Sequence, residues 1–298
     1  MVCLTHCFKR NIRCMLILGL ILPLAAAGAS EQEQVLASIK PLALIAQEIT
    51  DGTTLKVGYL LSPSVSEHSY ALKISDIKRL RNASLVLWLD KDAEPYLTST
   101  ENSWRPSSNP KKSLSLLAAT PSMPRGVVDP HVWLSPVLAE GLAEQIAERL
   151  SEIYPANKAL FETNLKQFRQ KVVTLDNLNA KALEPYSHVP FFVHHDAYGY
   201  FVNHYGLKQV GVLQIQPETP LSLKQTRVLQ LAMQEQNQDV CLFQEPQLSP
   251  IRAAVFRSSL IIEGYLDPLG IDASNYSELI ENLRNGFLAC FIQVKKNR

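Results

Sequence analysis

The chain has 298 residues, of which 46% are hydrophobic and 19% are charged, and its formal net charge is +1. This composition is typical of a globular protein large enough for one large domain or two lobes, and it excludes a disordered or fibrous chain. A net charge so close to zero argues against nucleic acid or an anionic membrane surface as a partner.

The first thirty residues have the three zones of a secretory signal peptide. Basic residues at positions 9–13 precede an apolar run at 15–27, and small residues continue to position 30. The run is shorter than the roughly 20 residues of a membrane-spanning helix, and no second run of that length follows. No cysteine follows it directly, so we expect a signal peptide at 1–30 and release without a lipid anchor. An uncleaved anchor is the alternative.

Removing this segment changes the charge and the cysteine content. Three basic residues are lost, so 26 remain against 28 acidic ones, and the mature chain stays close to neutral. Only Cys241 and Cys290 remain of the five cysteines. In an oxidising compartment two cysteines favour one disulfide, and the alternative is two buried free thiols. Neither belongs to a C-x-x-C pair, so redox catalysis is not indicated.

Short apolar strands alternate with amphipathic helices in the first half of the mature chain, which indicates a parallel sheet in an α/β fold. Residues 98–129 are rich in Ser, Pro, Asn and Lys and are predicted to be mainly loop. The predicted strands are 35–39, 55–61 and 85–89, and the predicted helices are 42–50 and 75–81.

A long amphipathic helix is predicted in the middle of the chain. A first helical pattern covers 136–153, and a second covers 157–183, about 27 residues or about 40 Å at 1.5 Å per residue. Pro185 ends it. A helix of this length exceeds one small domain and is able to join two lobes. Its apolar stripe consists of Phe161, Leu165, Phe168, Val172, Leu175, Leu178 and Ala182.

The α/β alternation resumes beyond the long helix. The predicted strands are 190–193, 211–215 and 240–243, and the predicted helices are 197–205, 222–236, 250–258 and 276–288. No internal repeat is evident in the sequence. The predicted fold class is therefore α/β, with two parallel-sheet lobes around a long helix. The expected domains are a signal peptide at 1–30, an N-terminal lobe at 31–153, a linking helix at 154–184 and a C-terminal lobe at 185–298.

The histidines are placed unevenly in this pattern. His68, His131 and the pair His194 and His195 each stand where a strand or loop meets the following helix, and Asp267 stands at a fourth junction. In parallel α/β lobes such junctions line the ligand cleft. Three neutral imidazoles with one carboxylate make a four-coordinate site that suits zinc, with bonds of about 2.0–2.2 Å. The wide spacing does not prove a site.

Each histidine also has a structural interpretation. His68 could be an exposed loop residue, and His131 could be buried and bonded to a backbone carbonyl. Strand alternation points His194 and His195 to opposite faces, so only one is expected in the cleft. A histidine just before a helix N-terminus is kept neutral by the helix dipole, which prepares it to bind metal. The remaining mature-chain histidines, His188 and His204, are interpreted as ordinary loop and helix-surface residues.

Several segments together resemble the periplasmic zinc-binding proteins of ABC importers. They occur in that family's order across nearly the whole mature chain, from about residue 35 to residue 290. The segments are S-E-H-S-Y at 66–70, S-D-I-K-R-L at 75–80, D-P-H-V-W-L-S-P at 129–136, H-D-A-Y-G-Y-F at 195–201, Q-E-P-Q at 244–247 and L-D-P-L-G at 266–270.

This resemblance implies two α/β lobes joined by a rigid long helix, with the metal site in the cleft between them. Matched motif to motif, the family's ligands fall on His68, His131, His195 and Asp267, and Glu67 could be a substitute or an extra oxygen ligand. His194 stands where the family more often has an apolar residue, so it is not expected to bind metal.

Two further features follow from the resemblance. Cys241 and Cys290 match positions that form a disulfide in some zinc-binding members, which supports their pairing. Many zinc-binding members also carry a long loop rich in His and acidic residues before the D-P-H motif. Residues 98–128 contain no histidine, so any contribution of that loop to metal capture is expected to be absent here.

The function implied is capture of Zn²⁺ in the periplasm and delivery to an inner-membrane ABC permease with its cytoplasmic ATPase. Zinc would be the transported ligand, and the chain is expected to be a monomer without enzymatic activity. Manganese- and iron-binding relatives usually have a carboxylate at the position of His195. Imidazole favours zinc, whereas harder ions favour oxygen, so three histidines favour zinc as the bound ion. A manganese or iron importer component is the alternative.

The same residues leave other classes of function to consider. A secreted zinc hydrolase would use Glu67 as general base and would need an open coordination position. The sequence has no H-E-x-x-H, no G-x-S-x-G and no Gly-rich phosphate loop, which argues against an enzyme. An adhesin or a metallochaperone that acts without a permease would share the same metal site and stays open.

Overall fold

The computed structural model describes residues 33–66, 70–105, 109–117, 129–214, 221–249, 256 and 260–297. The predicted signal peptide therefore lies outside the described residues, as do Glu67 and His68, because positions 67–69 fall in one of the gaps. Within the described ranges, none of the helices is both long enough and apolar enough to cross a lipid bilayer.

The N-terminal lobe contains a parallel four-stranded sheet in the order β2-β1-β3-β4. Its central strands are fully buried, which explains why they are continuous apolar runs. The strands are β1 (Val35–Ala37), β2 (Val57–Tyr59), β3 (Leu85–Trp88) and β4 (Ser113–Ser115). The helices are α1 (Lys40–Thr50), α2 (Ile74–Asn82), α3 (Pro95–Thr98) and α4 (Glu101–Trp104).

The C-terminal lobe contains a second parallel sheet, in the order β6-β5-β7-β8. This order repeats that of the first sheet, so the two lobes share one topology although the sequence shows no repeat. The strands are β5 (Phe191–His195), β6 (Gln209–Gln214), β7 (Val240–Gln244) and β8 (Ile261–Tyr265). The helices after the linking segment are α7 (Gly199–His204), α8 (Leu223–Gln234) and α9 (Tyr276–Lys296).

Two helices connect the sheets, α5 (Pro136–Ile153) and α6 (Lys158–Leu183). The side chain of Ser135 caps the start of α5 by accepting a hydrogen bond from the backbone N–H of Leu138 at 3.4 Å. With 26 residues, α6 is the long helix that the periodicity predicts, and it packs against α1, α5 and α9. The predicted stripe is buried except near its end, where Leu178 is 51% exposed.

Two buried asparagines extend the buried face of α6. Asn164 donates through Nδ2 to the carbonyl oxygens of Ile49 and Asp51 at the end of α1, both at 2.9 Å. Asn179 donates to the Tyr205 hydroxyl at 3.1 Å, and its carbonyl oxygen accepts from Arg284 at 3.2 Å. One asparagine thus binds an N-terminal helix and the other binds C-terminal elements.

The largest hydrophobic cluster is common to both lobes. It contains residues from one face of each sheet and from the helices α6 and α9. Val35 represents the first sheet and Phe191 the second. Two smaller clusters lie on the opposite sheet faces, one under α2 and one under α8. The long helix therefore covers one side of both sheets, and α2 and α8 cover the other side.

The disulfide between Cys241 of β7 and Cys290 of α9 is confirmed, with Cα atoms 6.0 Å apart. The alternative of two free thiols is wrong. The bond fastens the last helix to an inner strand of the second sheet.

The structure differs from the predicted elements in several places. The segment 98–129 contains β4 and a short helix, and β8 follows where no strand was predicted. The last helix continues to Lys296 instead of ending near residue 288, because Phe291 and Val294 prolong its buried stripe. The helix predicted at 250–258 lies almost entirely outside the described residues, and the domain limits stay a prediction.

Candidate metal centre

Two of the predicted ligands, one from each lobe, lie side by side. His131 precedes a 3₁₀ turn at Val132–Leu134, and His195 is the last residue of β5. Their ring centroids are 4.8 Å apart, with the ring planes at 72°. Both side chains are buried, at 2% and 3% exposure. Residues that are 64 positions apart in the sequence thus converge where the lobes meet.

The ring of His131 is oriented by Asp129. One carboxylate oxygen of Asp129 lies 2.7 Å from Nδ1 of His131 and also accepts the backbone N–H of His131 at 3.0 Å. A proton on Nδ1, shared with the carboxylate, places the lone pair of the neutral imidazole on Nε2. This is the arrangement in which a histidine binds metal through Nε2.

The ring of His195 has a comparable partner in Glu245, directly after β7. Oε2 of Glu245 lies 3.3 Å from Nδ1 of His195, and Oε1 accepts the Tyr198 hydroxyl at 2.9 Å. All three side chains are buried. A carboxylate bonded to the far nitrogen of a metal-binding histidine fixes its tautomer and ring orientation and raises its basicity as a ligand.

Asp267 lies in the loop after β8, and both of its oxygens accept hydrogen bonds. Oδ1 accepts from Nε2 of Gln247 at 2.7 Å and from the backbone N–H groups of Leu269 and Gly270 at 3.2 and 3.0 Å. Oδ2 accepts the backbone N–H of Ile271 at 2.5 Å. The loop thus wraps around the carboxylate and holds it in place.

Gln247 connects this loop with the N-terminal lobe. Besides Asp267, its Nε2 donates to the carbonyl oxygen of Pro63 at 2.8 Å. Pro63 belongs to the segment that leads from β2 towards position 67, where the described residues stop. One amide therefore joins the predicted carboxylate ligand to the segment that precedes His68 in the sequence.

Further hydrogen bonds join the lobes around the two histidines. Trp133, two residues after His131, donates through Nε1 to the carbonyl oxygen of Pro268 at 2.8 Å, and the hydroxyl of Tyr276 donates to the carbonyl oxygen of Trp133 at 2.9 Å. Lys40, the first residue of α1, donates to the carbonyl oxygen of Ile271 at 2.9 Å. The loops of the two lobes thus contact each other directly beside the site.

The remaining histidines behave as their positions suggest. His194 points away from His195 and lies with Nε2 at 2.7 Å from Oε1 of Gln214 on the neighbouring strand β6. Burial lowers the pKa of His194 below its ordinary value, which favours its neutral form. His188 is exposed. His204 is a helix-surface residue whose Nε2 lies 2.7 Å from Oδ1 of Asp176.

The four-ligand set as a whole stays a prediction. Among the side chains that the structure describes, no three from His, Cys, Asp and Glu are close enough to hold one metal ion. His68 and Glu67 fall in the gap at 67–69. The structure brings together His131 and His195, and it places Asp267 in a loop that Gln247 bonds to the N-terminal lobe.

Three residues that orient these groups were not singled out from the sequence, namely Asp129, Glu245 and Gln247. All three lie inside segments that carry the family resemblance, D-P-H at 129–131 and Q-E-P-Q at 244–247. The motifs were thus the available signal, but the pairing of Glu245 with His195 spans 50 positions and appears only in the fold.

The chain matches the family described as "Zinc-uptake complex component A periplasmic" over residues 35–287. The high-affinity zinc uptake system protein ZnuA of Yersinia pestis is 32% identical over 291 residues, which cover 86% of this chain and 90% of that protein.

Solved structures agree on the fold. The periplasmic zinc-binding protein TroA from Treponema pallidum superposes with a TM-score of 0.75 at 19% identity, over 86% of this chain and 98% of TroA. The laminin-binding protein Lmb of Streptococcus agalactiae is described as bifunctional, with adhesin and metal-transporting activity. It superposes with a TM-score of 0.74 at 25% identity, over 87% of this chain and 98% of Lmb.

These likenesses confirm two parallel α/β lobes with a long helix. The family match spans both sheets and all four segments that carry described or predicted ligands. This chain therefore belongs to the family of the periplasmic component A of zinc-uptake complexes, a non-enzymatic family of transport components.

Proposed function

We propose that this chain captures Zn²⁺ with high affinity in the periplasm and delivers it to an inner-membrane ABC permease with its ATPase. The observation that carries this proposal is the convergence of His131 and His195 from opposite lobes, with ring centroids 4.8 Å apart. The proposed ligands are His68, His131, His195 and Asp267, with Glu67 as an additional oxygen donor.

The orientation of both described histidines supports metal binding. Each has Nδ1 beside a carboxylate, at 2.7 Å for His131 and 3.3 Å for His195. We infer that two buried imidazoles held in this way would offer Nε2 to a common ion, and the carboxylate partners would offset part of the charge that a divalent cation brings. The donor set of three imidazoles and one carboxylate favours zinc over manganese and iron.

The position of Asp267 supports its role as the oxygen ligand. Its loop contacts the N-terminal lobe through Gln247 and Pro63, and through Lys40 and Ile271. Because Asp267 accepts hydrogen bonds on both oxygens, one of these bonds would give way when the carboxylate binds zinc. The loop would move towards the two histidines when the ion binds, while the long helix α6 and the shared core keep the lobes connected.

The test is the metal content of the exported protein, measured by elemental analysis, with affinity measured by competition against a zinc chelator. We expect one zinc per chain in the wild type and loss of tight binding when His68, His131 and His195 are all changed to alanine. A matched control changes His188 and His204 to alanine, because both lie away from the proposed ligands, and it should keep its zinc.

Zinc that survives the triple substitution would contradict the proposed ligands. Equal or tighter retention of Mn²⁺ or Fe²⁺ in direct competition would favour the manganese or iron alternative instead. Location follows from the same proposal: the N-terminal segment exports the chain, which then acts as a monomer in the periplasm.

A further inference from the structure

The end of strand β8, which leads into the loop of Asp267, lies unusually close to a glycine in the middle of α9. A Cβ atom added to Gly286 would lie 2.6 Å from the carbonyl oxygen of Tyr265 and 3.0 Å from Cδ2 of Leu266. Non-bonded carbon atoms are best placed at about 3.5–4.0 Å from one another. Any side chain at position 286 would therefore have to displace the backbone that directly precedes Asp267.

The far side of the same loop also lies against α9. Gly270 has φ of 65°, in the left-handed region that favours glycine. A Cβ atom added to it would lie 2.7 Å from Cδ1 of Leu279, in the first turn of α9. The helix thus contacts the chain on both sides of Asp267.

Glycine is a poor helix former, so its place inside α9 needs a steric reason. The contact with β8 supplies that reason for Gly286. Gly141 in α5 provides the contrast, because no described atom lies within 4 Å of a Cβ atom added there. A methyl group would therefore be accommodated freely at position 141 and would cause a clash at position 286.

The helix α9 has little freedom to move away from the sheet. One turn after Gly286, Cys290 is bonded to Cys241 of the inner strand β7. Sγ of Cys290 also lies 3.5 Å from the carbonyl oxygen of Ile262 in β8. Phe287, the residue after Gly286, is fully buried in the largest hydrophobic cluster. A clash at position 286 would therefore be relieved by movement of β8 and not of α9.

The end of β8 is the part that is free to move. It is the edge strand of its sheet, and Tyr265 is 62% exposed. The carboxylate of Asp267 accepts backbone N–H groups of its own loop, including that of Gly270 at 3.0 Å. Asp267 would therefore move together with the loop when the carbonyl group of Tyr265 is displaced.

We propose that Gly286 is a positioning residue for the zinc site. Its missing side chain lets α9 hold the end of β8, and this contact sets how far the carboxylate of Asp267 must move to meet the ion beside His131 and His195. The inference rests on the proposed function. Zinc bonds to oxygen are about 2.0–2.2 Å long, and a site works when its ligands are held within about 0.5 Å of the required geometry.

The test measures the zinc affinity of the exported chain by competition with a zinc chelator. Gly286→Ala should weaken the affinity by about tenfold, as for other changes that disturb the orientation of a metal ligand. Gly141→Ala is the matched control, since it makes the same substitution inside a helix with open space around it. It should keep the wild-type affinity and should not lower the thermal midpoint, because alanine is the better helix former.

A second background separates positioning of Asp267 from a general loosening of the lobe. In an Asp267→Ala chain, which keeps the three proposed histidine ligands, Gly286→Ala should change the remaining zinc affinity by less than about twofold, because the group that it positions is gone. A merely structural role would lower the affinity equally in both backgrounds. Thermal midpoints of the zinc-free chains show which variants are folded.

Several results would overturn the inference. These are wild-type zinc affinity in Gly286→Ala, an equal loss in Gly141→Ala, or an equal effect of Gly286→Ala with and without Asp267. A Gly286→Ala chain that does not fold would also overturn it, since the contact would then serve the whole fold. A wild-type chain that binds no zinc would instead refute the proposed function, and wild-type affinity in Asp267→Ala would refute the proposed oxygen ligand.

Discussion

Glu245 is a buried residue whose contacts indicate that it positions His195 at the candidate site. Its two carboxylate oxygens contact His195 and Tyr198 separately, at 3.3 and 2.9 Å. Glu245→Gln preserves the shape and leaves one oxygen to accept the Tyr198 hydroxyl, but it removes the negative charge beside Nδ1 of His195. We expect zinc affinity to fall about 10–100-fold, as for other carboxylate partners of metal-binding histidines. Competition with a zinc chelator measures the change.

A control separates this positioning role from a general loss of stability. Glu162→Gln changes an exposed carboxylate on α6 that lies 3.8 Å from Lys158, and it should leave zinc affinity unchanged. The thermal midpoint of the zinc-free Glu245→Gln protein should show that the fold is intact. An unchanged zinc affinity in a folded Glu245→Gln variant would contradict the role.

The sequence predicts the residues at the site better than their contacts. His131 and His195 are candidates from the sequence because each stands at a junction before a helix, which is a local feature of the chain. Alternation along β5 also separates His195 from His194, and the structure pairs His194 with Gln214 on the other side. Asp129 and Glu245 were missed as partners because hydrogen bonds between loops depend on how the two lobes pack.

At the scale of elements, the disulfide is the bond whose energetic effect is simplest to isolate. It joins residues 49 positions apart, and in the chain-entropy model closing such a loop stabilises the native state by about 3–4 kcal/mol. Changing Cys241 and Cys290 together to serine should lower the free energy of unfolding by about this amount. Denaturant unfolding under oxidising conditions measures it.

Reductant provides the internal control for that prediction. It should destabilise the wild type to about the level of the double variant and should have no effect on the variant itself. Zinc binding should persist in the folded variant, because the bond fastens α9 to β7 without contacting the candidate ligands. Equal midpoints for wild type and variant under oxidising conditions would show that the bond contributes nothing.

The strength of each local pattern explains which elements are predictable. The helix α6 repeats its apolar spacing over 26 residues, so a few exceptions such as the exposed Leu178 do not obscure it. The strand β4 has only three residues, two of them serine, and it forms because β3 supplies its hydrogen-bond partners. The strand β8 at Ile261–Tyr265 is half-buried, and pairing with β7 defines it.

At the scale of the whole molecule, the two lobes repeat one strand order without a visible sequence repeat. What they share is a set of requirements: buried central strands, a capped helix after each edge strand, and a carboxyl edge that carries the proposed ligands. Different residues meet each requirement, as Asp76 and Gln225 do at the starts of α2 and α8. Two lobes can therefore share a topology although the sequence identity between them is too low to reveal a repeat.

The shared core makes a prediction about stability. Although each lobe has its own sheet, the largest cluster continues from Val35 of β1 through Phe168 of α6 to Phe191 of β5 and Phe287 of α9. Unfolding either lobe alone would expose the apolar face that the other lobe and α6 bury. We therefore expect the zinc-free exported chain to unfold in a single cooperative transition, despite a size at which separate domains often unfold independently.

Differential scanning calorimetry tests this expectation, because the calorimetric and van't Hoff enthalpies agree only when one unit unfolds. Saturating zinc should move the same single transition to higher temperature, since the proposed site exists only in the native state. Two resolved transitions, or a shift in only one of them with zinc, would mean that the lobes are energetically independent. A single unit implies that zinc acts by local adjustment of the loops around the cleft, because opening one lobe as a rigid body would break the core that α6 shares with both.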